Sequence, residues 1–531
     1  METGFLSIVL HAHLPYVRHP EYPNFLEENW FFEAITECYL PLLGVLDRLH
    51  KDSVNYRLTL SLSPTLITML TDELLLTRYQ NHLAKQLELA TKEISRTRSS
   101  PDLNKLARLY RRLFQNSLST FRTQFDGDLI SAFKKYYLAG NLELITTAAT
   151  HGFLPLLNIN ENAVRTQINV GIDTFHNALG FKPVGFWLPE CGYYPGLEAH
   201  LADAGIRYFF TDSHGLTHAS EAPIYGVHAP VECANGISVF AREPESSKQV
   251  WSANEGYPGD PDYREYYSDI GFDPDIEMVE AFIIADKTHI NTGIKYHRIT
   301  GFDNKEIYQP RKALAKAKLH GQDFIDKCQH QINQRGAKMN RTPLIVAPYD
   351  AELFGHWWFE GPYWLEQVFR LANQPTNGLR TISCSDYLAV YPNNQVATPS
   401  ASTWGNLGYS DYWINASNDW IYPPLHEASA KMSALSTDFK TSPEHSLTTR
   451  ALNQAMRSLL LAQASDWSFM LKSGTTTEYA RKRITGQLAR FNYLHDIIRS
   501  NEIDQLYLSA LEQMDNIFPN IDFRDYNSPE I

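Results

Sequence analysis

Short apolar runs with no polar alternation punctuate the first four hundred residues: Phe5–Leu10, Tyr56–Leu62, Leu142–Thr147, Val184–Leu188, Tyr208–Thr211, Gly236–Phe240, Leu344–Pro348 and Thr381–Ser383. Helix-like segments separate most of them. A strand covered by helices on both faces loses its period of two and reads in this way. The pattern therefore predicts parallel strands in a βα barrel. Between residues 72 and 138 the chain turns charged and helical, running from Leu87-Glu88-Leu89 through Arg108-Leu109-Tyr110-Arg111-Arg112-Leu113. This is the pattern of a helical insertion between barrel strands. Residues 213–300 are rich in loop formers, with Asn254-Glu255-Gly256-Tyr257-Pro258-Gly259-Asp260-Pro261 the densest stretch. They predict an excursion over the barrel mouth. Beyond Pro423-Pro424, apolar positions recur at helical spacing in Ala451–Ala464 and Ile484–Ile498. The expected organisation is a catalytic barrel over 1–400 and a C-terminal helical domain over 401–531, entered through a Trp-rich loop.

Composition narrows the function. The chain of 531 residues is long enough for a barrel with large additions. Its net charge of -13 repels phosphate backbones and argues against nucleic acid as a partner. No stretch approaches 18 apolar residues, so no membrane span is expected. The first apolar run has no basic flank or cleavage site and reads as a strand, not a secretion signal. The 5 cysteines are odd in number and scattered, which fits a reducing, cytoplasmic compartment.

Candidate chemistry sits at the ends of the apolar runs, where a parallel barrel carries its active site. His11-Ala12-His13 follows the first run, and two His at i, i+2 project from the same face. They fit sugar-hydroxyl donors, a metal site or plain structural residues; no Asp/Cys cluster completes a ligand set. Gly185-Phe186-Trp187-Leu188-Pro189-Glu190 and Leu344-Ile345-Val346-Ala347-Pro348-Tyr349-Asp350 each deliver a carboxylate where strand becomes loop. Aromatic residues flank both acids: Trp187 precedes Glu190, and His356-Trp357-Trp358 follows Asp350. Two carboxyls in such a setting suit glycosidic-bond cleavage, one protonating the leaving oxygen and the other attacking or activating water. Trp404, Trp413 and Trp420 lie in a Gly- and Asn-containing loop that could stack on sugar or anchor the barrel to the helical tail. Asp466 stands beside Trp467 in a tail helix.

These segments, in this order, resemble glycoside hydrolase family 57 and within it the 1,4-α-glucan branching enzymes. The resemblance runs over essentially the whole chain. It rests on His11–Tyr16, on Gly140–Glu143 with Ala149-Thr150-His151-Gly152, on Trp187–Tyr193, on Pro348–Trp358 and on Ala464–Met470. It implies an α/β fold, an incomplete (β/α)7 barrel with a helical insertion and a C-terminal all-helical domain. It implies a retaining mechanism with Glu190 as nucleophile and Asp350 as general acid/base. His11, His13 and His151 become substrate contacts, Trp30, Trp404 and Trp413 stacking residues, and Asp466 a neighbour of the site. Trp187 and Trp357, beside the two acids, join the substrate-binding set. The substrate implied is an α-1,4-glucan such as amylose, glycogen or starch chains, and neither metal nor cofactor is needed. An α-amylase-type hydrolase or a 4-α-glucanotransferase would use the same carboxylates. A metal-dependent deacetylase-like or α-mannosidase-like barrel and a non-catalytic glucan binder are the more distant alternatives. One departure stands out: the family's branching enzymes carry a loop over the site with a water-excluding Tyr, expected near residues 226–240. Gly226–Gly236 contains none, and Tyr225 is the nearest.

Overall fold

Each apolar run becomes a strand because it is buried on both faces. A computed structural model describes residues 3–252, 255–273, 283–284, 288–301, 305–374 and 377–527. The strands in chain order are β1 (Gly4–Ala12), β2 (Leu58–Leu62), β3 (Leu142–Thr147), β4 (Gly185–Trp187), β5 (Tyr208–Thr211), β6 (Val231–Glu232) and β7 (Ser238–Ala241). There follow β8 (Ile283–Ile284) and β9 (Thr288–His289), a separate antiparallel ribbon, then β10 (Leu344–Asp350), β11 (Leu379–Thr381) and β12 (Gln395–Val396). β1, β2, β3, β4, β5 and β7 are buried along their whole length.

The main sheet runs β10-β1-β2-β3-β4-β5-β7-β6-β12, and its neighbours from β10 to β7 pair in parallel. Among the described residues no strand pair joins β7 back to β10; at that seam the Glu243 N–H donates to Val346 O over 2.9 Å. Among the described residues the barrel is thus incomplete, with seven parallel strands from β10 to β7, β11 added in parallel beside β1 and helices outside, as expected from a (β/α)7 fold. β11 lies two residues earlier than the run Thr381–Ser383 suggested. Ser383 instead caps the helix Cys384–Val390, its Oγ accepting from Asp386 N over 3.1 Å.

The 72–138 insertion is a helical hairpin, Glu73–Arg96 against Pro101–Ser119, followed by Leu129–Leu138. Asp72 caps its first helix by accepting from Leu75 N. The hairpin grips the end of the 213–300 excursion: Tyr110 donates to Lys295 O over 2.6 Å and Gln86 to Thr292 O over 3.0 Å. Parts of that excursion, including Asn254, lie outside the described residues.

Beyond residue 421 the chain is helical: Tyr422–Asp438, Leu447–Ala462, Ser465–Ser473, Thr477–Ser500 and Gln505–Met514. These helices press on the C-terminal ends of the strands. Ser465 N donates to His151 O over 3.0 Å, and Gly152 bridges Ala464. No helix among the described residues is long and apolar enough to cross a membrane.

Candidate active site

β1, β3, β4 and β10 all end at one mouth. The parallel register sets His11 opposite Asp350 directly. Just past their strands, His151 and Glu190 adopt left-handed backbone, φ 58° and 60°, and Cys191 follows at 50°. A non-glycine residue held there costs about 1–3 kcal/mol, and such strain persists only where the surroundings fix it. Here they do: Cys191 N donates to Leu188 O, and Trp404 N donates to Glu190 O over 3.0 Å.

Both Glu190 oxygens are engaged. Trp404 Nε1 donates to Oε2 over 3.0 Å and Ser465 Oγ to Oε1 over 2.9 Å. Burial pushes the Glu190 pKa up and the nearby Asp466 charge adds to this, while the two donors and His13 pull it back. Asp350 is pushed further. Its carboxyl lies well above the usual range because it is buried and faces Glu352 and Glu190, with Arg242 alone opposing. The mouth therefore holds one carboxyl that keeps its proton and one whose anion is supported by hydrogen bonds. This combination can protonate a leaving oxygen and attack a carbon.

The histidines form a directed chain toward Glu190. Burial, then the charge of His13, holds His151 well below the ordinary value, and burial followed by His13 does the same for His11, so both rings are neutral. The Ser465 hydroxyl spends its hydrogen on Glu190, so it accepts from His151 Nδ1 at 2.8 Å. His151 Nε2 then accepts from His11 Nε2 at 3.0 Å, and His11 Nδ1 accepts from Ser61 Oγ at 3.1 Å. Each neutral imidazole has one donor and one acceptor nitrogen, and that fixes every tautomer in the row. Trp187 backs the row, stacked on His11 with centroids 4.8 Å apart.

His13 behaves differently. Burial works to lower its pKa, but Asp466 at 3.2 Å raises it overall. Its buried Nδ1 has no partner among the described residues and is free to donate.

His13, His151 and Asp466 offer three ligand atoms within 4.8 Å of one another. The two rings, however, lie nearly parallel with centroids 3.9 Å apart. Their in-plane lone pairs run side by side, and an ion about 2.0–2.1 Å from both nitrogens would leave both ring planes. The group fits a hydrogen-bonded stack better than a ligand shell.

The aromatic residues divide into two sets. Trp404 touches Glu190 directly, and Trp357 is 49% exposed on the loop after Asp350, its ring 4.2 Å from that of Tyr266. Trp30 is half-buried, edge-on to Tyr479. Trp187 and Trp413 are buried. Trp413 stacks on Phe153 at 4.6 Å and backs Gly405, so its ring props the Trp404 loop.

The expected lid over 226–240 is corrected. Val231–Glu232 pairs antiparallel with β7 and turns tightly through Ala234-Asn235-Gly236. His228 O accepts from Leu344 N, the first residue of β10, and Tyr225 donates to Asn340 over 2.7 Å. The hairpin therefore stands at the N-terminal end of β10, opposite Asp350. A turn that must feed a parallel strand starts at that end, so it cannot also roof the mouth.

Residues not anticipated from the sequence complete the site. Glu352 accepts from Tyr39 at 2.5 Å and from His13 N at 3.3 Å, with burial raising its pKa to about 7 against those hydrogen bonds. Arg242, at the end of β7, pairs with Asp212 and lies under Trp404. Trp251 meets Trp404 edge-on at 5.9 Å. Glu352 and Ser465 each lie within two residues of a flagged acid, a signal that was present. Arg242 follows an apolar run and could have been flagged by the same strand-end rule.

Comparison with known proteins agrees with this geometry. Residues 7–399 match the model for Glycosyl hydrolase family 57, and residues 424–526 match 1,4-alpha-glucan branching enzyme, C-terminal. A 1,4-alpha-glucan branching enzyme of Thermococcus kodakarensis is 33% identical over 99% of this chain and 80% of its own length. Among solved structures, an alpha-amylase from Thermotoga maritima is 44% identical, with a TM-score of 0.93 over 100% of both chains. A branching enzyme from Pyrococcus horikoshii is 32% identical, with a TM-score of 0.89 over 99% of this chain and 97% of that one. The apolar strands, the mouth they share and the two consecutive matches have one reading: this chain belongs to glycosyl hydrolase family 57.

Proposed function

We propose that the chain is a 1,4-α-glucan branching enzyme working by double displacement, with Glu190 as nucleophile and Asp350 as general acid/base. The observation that carries the reading is the contrast between the two carboxyls. Asp350 is desolvated and set among like charges, which raises its pKa, and Glu190 accepts from Trp404 and Ser465. Glu190 attacks C1 of an α-1,4-linked glucosyl unit as the C1–O4 bond breaks and Asp350 gives its proton to O4. In the second step a glucan 6-hydroxyl attacks C1, its proton passes to Asp350, and the bond to Glu190 breaks. The product keeps the α configuration and carries a new α-1,6 branch.

The C-terminal match and the branching-enzyme relatives favour a sugar acceptor. The Thermotoga relative, an alpha-amylase, supplies the second reading, in which water accepts the chain. Access of water to Glu190 decides between them. In this scheme His13 Nδ1 donates to a glucan hydroxyl and residues 401–531 act as part of the catalytic unit. All 5 cysteines are free and buried, which suits a cytoplasmic enzyme.

Incubation with amylose, followed by proton NMR, tests the proposal. Branching gives α-1,6 anomeric signals with little gain in reducing ends. A gain in reducing ends alone would sink it.

A further inference from the structure

The helix Ser465–Ser473 carries Ser465 onto Glu190 and Asp466 onto His13. Phe469 follows Asp466 by three residues and so lies on the same face, about one turn or roughly 5 Å further along. A phenylalanine on a helix face that touches other elements is normally covered. Phe469 is 42% exposed. Its ring stacks on Tyr412 with centroids 5.3 Å apart and planes within 18°.

The turn bearing Tyr412 is fastened to this helix on both sides. Asn418, fully buried, donates to Tyr412 O over 2.9 Å and to Ser468 O over 3.0 Å. Lys472, the next residue along the Phe469 face, pairs with Asp411 over 3.3 Å. Inward from Tyr412, Trp413 is packed against Phe153, and the same loop leads back to Trp404 on Glu190. Tyr409, 55% exposed, extends the loop outward. The Tyr412–Phe469 stack is thus an aromatic ledge on the helix that reaches Glu190, held by a buried amide and flanked by a charged pair.

We propose that the Tyr412–Phe469 stack is an outer glucan subsite, on which a glucose unit of a bound α-1,4 chain lays its apolar face. The inference rests on the function proposed above. Flat ring faces suit the C–H face of a sugar, and the Asp411–Lys472 pair offers acceptor and donor groups to its hydroxyls. The ledge is already ordered, so binding spends little on arranging it. Chains long enough to run from Glu190 to the ledge gain this contact. Shorter ones do not.

Calorimetry with the full-length Glu190→Gln protein tests this, using maltoheptaose and maltotriose as probes. Adding Phe469→Ala should weaken maltoheptaose binding about tenfold and maltotriose by less than about twofold. Phe469→Leu, apolar without a flat face, should lose as much as Ala, and Phe469→Tyr should restore the affinity. Tyr507→Ala, an exposed ring on the separate helix Gln505–Met514, serves as the control and should change neither. Unchanged maltoheptaose affinity in Phe469→Ala, or an equal loss for both sugars, overturns the subsite while leaving the proposed function standing. Failure of the Glu190→Gln parent to bind either sugar overturns the function and the subsite together.

Discussion

Asp350 is half-buried at the end of an apolar strand, and desolvation with the charges of Glu352 and Glu190 makes its proton hard to remove. Between its ordinary value of 3.8 and its raised value, the folded state holds a proton that the unfolded chain has released. Folding stability therefore falls as pH rises through that window. Asp350→Asn removes this penalty and should raise the melting temperature by about 1–3 °C at neutral pH, with no gain below about pH 3.5. Thermal melts at the two pH values check it; a lower melting temperature at neutral pH would refute the assignment. Glu352→Gln deletes a like charge beside Asp350, so the alkaline limb of the pH–rate profile should move to lower pH. An unmoved limb would show that Glu352 does not act on Asp350.

At the scale of elements, the site is built by strand ends meeting one tail helix. Ser465→Ala removes a donor from Glu190 and the acceptor of His151, and should lower kcat about 10–100-fold with KM nearly unchanged. Asp466→Asn should lower the His13 pKa, read from its imidazole resonances by NMR, because Asp466 is what raises it. The turn after β10 is constrained at Gly355, where φ is 111° and a Cβ would fall 1.7 Å from Glu37 O. Gly355→Ala should cost about 1–3 kcal/mol in denaturant unfolding. The strands were legible in the sequence because burial on both faces leaves uninterrupted apolar runs, and the acids because they end such runs. Ser465 was legible only as the neighbour of Asp466; its pairing with Glu190, 275 residues away, leaves no pattern in the sequence. The packing of Trp413 was illegible for a related reason: its setting of Gly and Asn reads as exposed loop, while Phe153, distant in sequence, covers it.

The whole molecule divides its chemistry unevenly between its parts. The barrel supplies Glu190, Asp350 and the histidine row, and the chain beyond residue 400 supplies Trp404, Ser465 and Asp466. A chain ended at residue 400 should therefore show no glucan activity even where its barrel folds. The net charge of -13 has no counterpart on an uncharged glucan, so KM for amylose should stay level as salt is raised. The central claim is that a glycosyl unit passes through Glu190, and an activated fluoro-maltosyl substrate tests it most directly in the Asp350→Asn protein. Its fluoride leaves C1 without acid help as Glu190 attacks, and without the base the glycosyl-enzyme should accumulate. Peptide mass spectrometry is then expected to find the added sugar on the peptide containing Glu190; an adduct on another residue, or turnover to a product of inverted configuration with no adduct, would contradict the account.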